Sequence, residues 1–169
     1  MIKDTNQIHN EQYSNVIPMW RFALLCIVTF GFYELYWFYK NWKFFKEKEN
    51  LNISPFWRAT FFAIFFIYGL FKRIFILANK EGYTKRNSPG LLTFFWIVIS
   101  IIAFIPQSYS LLAVFSFITI IPAVKSMNYY WAKKNPNLPT KSFSWWQIIL
   151  IILGIIWVIF ALIGMFVPA

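Results

Sequence analysis

The chain has 169 residues, 59% apolar and 13% charged, with a net charge of +10. Soluble domains run to about 45–50% apolar and about 25% charged, so this composition points away from a water-soluble fold and towards lipid. One cysteine, Cys26, and one histidine, His9, exclude an internal disulfide and a structural Cys/His zinc site within one copy.

The distribution of charge is more informative than its sum. Between Arg86 and Lys125 lie 38 residues without Asp, Glu, Lys or Arg, and 28 more follow Lys141. Only helices and closed barrels satisfy their backbone groups in lipid. The run Ile148-Ile149-Leu150-Ile151-Ile152-Leu153 lacks the alternation of a barrel strand. The expected fold is therefore all-α: an integral membrane bundle of four or five hydrophobic helices over residues 17–169. A polar tail, residues 1–16, precedes it and lacks the pattern of a cleaved signal peptide. The basic residues cluster in the short connections, as the positive-inside rule requires. They suit anionic lipid headgroups and argue against nucleic acid.

Segment 1, Ile17–Tyr39, has a span's length of ~20 residues and carries Arg21 and Glu34. The following KNWKFFKEKEN extends it as a helix into water, with Phe38, Trp42 and Phe45 on one stripe. Asn50, Asn52 and Ser54-Pro55 then break the helix and start the next. Segment 2, residues 56–77, has an uninterrupted uncharged run of only 13 residues, Ala59–Phe71, bounded by Arg58 and by Lys72-Arg73. The run rises ~20 Å against ~30 Å of hydrocarbon. It either crosses with Arg58 and Lys72 snorkelling or is re-entrant or interfacial. Its tail, with Phe71, Ile74, Phe75 and Ala78 on one face, has the pattern of a helix lying on a membrane surface.

Segments 3 and 4, residues 91–105 and 111–131, form a hairpin about Pro106–Ser110, with Pro122 a candidate kink. Segment 5, residues 146–167, is an uncharged exit span. If all five cross, the basic residues divide 11 inside to 5 outside. If segment 2 does not cross, the N-terminus is outside and the division is 14 to 2. The second fits the positive-inside rule better and is the expected topology, with Gln107–Ser110 on the outer side in either case.

An internal repeat is suggested by Tyr36-Trp37-Phe38-Tyr39-Lys40-Asn41 and Tyr130-Trp131-Ala132-Lys133-Lys134-Asn135, both Tyr-Trp-x-x-Lys-Asn. Tyr36, Trp37, Lys40, Tyr130, Trp131 and Lys134 are expected as interface anchors, since Trp and Tyr favour the membrane boundary and Lys snorkels. The repeat aligns Glu34 with Asn128 and Arg58 with Gln147. Glu34, the one carboxylate inside an apolar segment, needs a partner or the interface. A Glu34–Arg58 pair is the structural expectation. The functional one is a proton- or cation-carrying carboxylate, and a small transporter or channel with Glu34, Arg58, Asn128 and Gln147 lining its centre is the alternative reading.

No Gly-rich phosphate loop, acidic metal pair or nucleophile–base arrangement is legible, so no enzymatic activity, cofactor or metal is expected. The run Thr29-Phe30-Gly31-Phe32-Tyr33-Glu34-Leu35-Tyr36-Trp37-Phe38-Tyr39-Lys40 resembles a family of small bacterial multi-span membrane proteins, grouped as a domain of unknown function, whose first span ends Thr-x-Gly-x-Tyr-x-x-Tyr-Trp-x-Tyr-Lys. The Phe-Trp-Arg entry at Phe56 and the element from Pro122 to Trp131 are similar as well. The resemblance implies a multi-pass protein of the bacterial inner membrane and no particular activity. The expected role is non-enzymatic, as an accessory, scaffold or lipid-interface protein that meets anionic headgroups and a membrane-protein partner or a second copy of itself.

Overall fold

A computed structural model describes residues 16–102, 114–136 and 143–166, with side chains in the last helix described as far as Trp157 and again at Ile159. Residues 1–15, the hairpin tip at 106–110, Lys141 and Val167 lie outside the described residues. All regular structure among those described is helical: α1 Met19–Val28, α2 Phe32–Lys48, α3 Pro55–Ala59, α4 Ala63–Lys80, α5 Pro89–Ile102, α6 Phe117–Lys134 and α7 Trp145–Phe166. Among the described residues no helix is long and apolar enough to cross a membrane.

Two of the expected continuous segments are interrupted. Segment 1 breaks at Thr29–Gly31, where Phe30 (φ 50°) and Gly31 (φ 87°) turn left-handed. The Gly31 N–H donates to Cys26 C=O at 2.9 Å and Phe30 N–H to Ile27 C=O at 3.2 Å, the bonding of a Schellman helix end. Segment 2 breaks at Thr60–Phe62, between α3 and α4. The extension past Tyr39 is helical as expected, to Lys48, and Pro55 opens α3 at its first turn, where a missing N–H is harmless. Pro122 lies inside α6.

Periodicity placed two of the buried stripes. Phe38, Trp42 and Phe45 of α2 are buried, joined by Trp37, Asn41 and Phe44. Phe71, Ile74, Phe75 and Ala78 of α4 are also buried. This second stripe packs against the rest of the bundle, α6 and α5 foremost, and so does not face outward as a surface-lying helix would. The interior is one continuous cluster drawn from α1 to α6, in which aromatic and aliphatic side chains are mixed. Phe44 meets Trp131 edge-on at 5.1 Å, and Phe38 meets Trp96 at 5.5 Å. α7 docks on α1, where Gly154 lies against the Val28 backbone so closely that a Cβ would collide with it. A small residue at such a crossing lets two backbones approach.

The outside of the bundle is apolar along most of its helices. Phe61, Ile64, Phe65 and Tyr68 of α4 and its entry are exposed, as are Leu91, Phe94, Phe95, Val98 and Ile101 of α5, and most described residues of α7. The charged ends lie together instead. Arg73 of α4 pairs with Glu49 at the end of α2. Lys48 Nζ donates to the Tyr130 hydroxyl of α6 at 3.3 Å, and Lys134 pairs with Glu81 at 2.9 Å. The basic C-terminal parts of α2, α4 and α6 are thereby joined at one end of the bundle.

Candidate functional site at the helix break

The α1–α2 break satisfies its own backbone. The Thr29 hydroxyl donates to Leu25 C=O at 2.6 Å and accepts the Tyr33 N–H at 3.0 Å, while Glu34 N–H donates to Gly31 C=O. Past this elbow, successive residues of α2 enter two different polar clusters.

Glu34 enters the first. Its residue is 2% exposed. One carboxylate oxygen accepts the Trp96 indole N–H of α5 at 2.8 Å, and the other accepts the Ser116 hydroxyl, in the turn that opens α6, at 2.6 Å. A buried carboxylate without donors would cost several kcal/mol. Here two neutral donors from two other helices meet it, so the carboxylate ties α2, α5 and α6 together.

Tyr33 enters the second. Gln147 Nε2–H donates to the Tyr33 hydroxyl at 3.3 Å, and its Oε1 accepts from Arg21 Nη2 and, at 3.1 Å, from Ser144 N–H. The Ser144 contact is half of a capping box written by Ser144-Trp145-Trp146-Gln147, so Gln147 starts α7 and fastens it to α1 and α2 at once. Arg21 is 7% exposed, and its guanidinium also lies 4.0 Å from the Phe143 ring centroid. Beside this cluster an apolar cleft of about 670 Å³ opens between the elbow and α7, with Phe30, Tyr36, Leu150 and Trp157 among its walls.

The Glu34–Arg58 pair is not formed. Glu34 is taken by Trp96 and Ser116, and Arg58 stacks over Phe66 at 4.3 Å and Trp42 at 5.1 Å. Asn128 clamps the chain entering α1, accepting Ile17 N–H at 3.2 Å and donating to Ile17 C=O at 2.8 Å. Glu34, Arg58, Asn128 and Gln147 therefore have separate partners among the described residues.

The interface anchors divide. Trp37, Tyr130 and Trp131 are buried core residues, because their stripes face neighbouring helices, whereas Tyr36 is 48% exposed. Lys40 lies 5.7 Å from the Tyr36 ring. Lys134 is held by Glu81, whose hydrogen bond and then charge raise its pKa. The two Tyr-Trp-x-x-Lys-Asn motifs are equivalent at the buried tryptophans only. Asn41 bonds within α2 to Trp37 C=O, while Asn135 caps the end of α6.

Sequence reasoning missed Trp96 and the role of Arg21. Arg21 carried a signal, being a charge inside an apolar run like Glu34. Trp96 carried none, since a donor in an apolar run serves many packing roles. No family model matches the chain, and neither a curated protein nor a solved structure was found to match it.

Proposed function

We propose that the chain is a multi-pass protein of the bacterial inner membrane with a non-enzymatic accessory or lipid-interface role. The observation that carries this reading is the segregation of the surface. Large apolar side chains cover the outer faces of α4, α5 and α7, while the basic ends of α2, α4 and α6 are joined at one end. Contiguous apolar surface on this scale marks a lipid or protein neighbour. Interrupted helices are compatible with lipid where the freed backbone groups find partners, and those of the elbow do.

The same contacts favour the topology in which segment 2 does not cross. In the five-span topology, Lys48 and Glu49 lie on the opposite side from Arg73 and Lys134, which would forbid the Glu49–Arg73 and Lys48–Tyr130 contacts. The polar clusters around Glu34 and Gln147 serve as interhelical fasteners in this reading. Two measurements test it. The chain should stay with the membrane pellet after an alkaline carbonate wash, and release into the wash would overturn the membrane assignment. A Lys46→Cys variant on a Cys26→Ala background should resist an impermeant thiol reagent on intact cells, and labelling from outside would overturn the topology.

A further inference from the structure

The joined basic end contains a recess of about 510 Å³ between the end of α2 and the outer face of α4. Lys48 comes from α2; Lys72, Arg73 and Lys80 come from α4. The one carboxylate at its rim is Glu49, paired to Arg73. Four cations therefore face one anion. The remaining wall is apolar, and Gly69 leaves it open: a Cβ there would meet only the Trp42 ring, at 3.8 Å.

The exposed stripe of α4 continues away from this recess. Ile64, Tyr68, Lys72, Ile76 and Lys80 recur every fourth residue and are all exposed, so they form one row along the helix. The row is apolar at Ile64 and Tyr68, with Phe65 beside it, and cationic at Lys72 and Lys80. Seven residues separate Phe65 from Lys72, a rise of about 10 Å. A ligand matching this row has a phosphate at one end and a hydrocarbon chain at the other.

We propose that this recess is a binding site for the phosphate headgroup of an anionic phospholipid, whose acyl chain lies along Tyr68, Phe65 and Ile64. Basic pockets beside membrane helices on the cytoplasmic side suit such headgroups. The proposal rests on the membrane reading above and deepens it, naming the lipid class and the groups that hold it. A free phosphate shares the headgroup chemistry but makes no use of the apolar half of the row.

The test uses the full chain in mild detergent, with native mass spectrometry after adding phosphatidylglycerol or phosphatidylcholine. Phosphatidylglycerol should be retained in preference. Lys72→Gln with Lys80→Gln should weaken its retention by about five-fold per lysine. Lys85→Gln with Arg86→Gln, the same charge loss elsewhere, should leave retention within about two-fold of the parent, since a charge off the site contributes little to it. Gly69→Leu fills the recess without changing charge and should also lower retention, with circular dichroism verifying the helical fold. Equal losses in the two charge variants, or equal retention of the two lipids, would overturn the site while leaving the membrane reading intact. Displacement of phosphatidylglycerol by millimolar inorganic phosphate would overturn the lipid assignment in favour of a soluble phosphate. A chain recovered from lysate supernatant without detergent would overturn both readings.

Discussion

The Trp96 indole N–H donates to the Glu34 carboxylate at 2.8 Å, joining residues 62 positions apart. With Ser116 on the other oxygen, the carboxylate becomes a fastener for three helices. Replacing one member should strand the others. Trp96→Phe and Ser116→Ala are each expected to cost about 1–3 kcal/mol, the penalty for an unsatisfied buried polar group. Glu34→Gln combined with Trp96→Phe should be non-additive by about 0.5–3 kcal/mol. Glu34→Gln combined with Arg58→Gln should add within about 0.5 kcal/mol, because those side chains share no partner. Denaturation of the detergent-solubilised protein measures all of these, and additive Glu34 and Trp96 effects would dismiss the fastener.

The elbow depends on Gly31, at φ 87°. A side chain in left-handed backbone costs about 1–2 kcal/mol, so Gly31→Ala should lower stability by that amount. Its Cβ would have room, with Glu34 Oε1 the nearest atom at 3.8 Å, so the loss is assigned to the backbone. A melt unchanged by Gly31→Ala would contradict the left-handed geometry.

The docking of α7 depends on Gly154. Any Cβ there collides with Val28, and overpacking of this kind costs about 1–3 kcal/mol. Gly154→Leu should loosen α7 from α1 while leaving the α2–α4–α6 core folded. A cysteine pair at Val28 and Leu150 should crosslink less readily in the Gly154→Leu background. Unchanged crosslinking would indicate that α7 packs elsewhere.

Gln147 presents a separate case, because it bonds to Arg21 and Tyr33 together. Gln147→Leu removes an acceptor from a buried guanidinium and is expected to cost about 2–3 kcal/mol, whereas Gln147→Glu keeps it and adds a charge-assisted bond. The Glu variant should therefore be the more stable of the two in a thermal melt. The reverse order would show that Arg21 does not bond at this position.

How much of this was legible can be seen residue by residue. The stripes Phe38–Trp42–Phe45 and Phe71–Ile74–Phe75–Ala78 follow from spacing along one helix, but that they pack against neighbouring helices, the second instead of facing a membrane surface, does not. The helix start at Ser54-Pro55 and the uncharged run that becomes α7 follow from local chemistry in the same way. The break at Thr29–Gly31 was not read, although Gly31 lies inside an apolar run and marks it. Its left-handed neighbour is a phenylalanine, which carries no such preference. Trp37 and Trp131 match the pattern of boundary anchors and are core residues, because composition does not distinguish a tryptophan facing a neighbouring helix from one facing a headgroup.

The sequence by itself determined that the chain is helical, that apolar stripes run along α2 and α4, and that long stretches carry no charge. These properties depend on neighbours within a turn or two. Only the tertiary structure decided that Glu34 meets Trp96 and Ser116 instead of Arg58, that Gln147 meets Arg21 and Tyr33, and that the basic ends of α2, α4 and α6 come together. Those contacts join residues 24 to 126 positions apart. They depend on how uniformly apolar helices cross, and the pattern of apolar residues along any single helix does not encode that crossing.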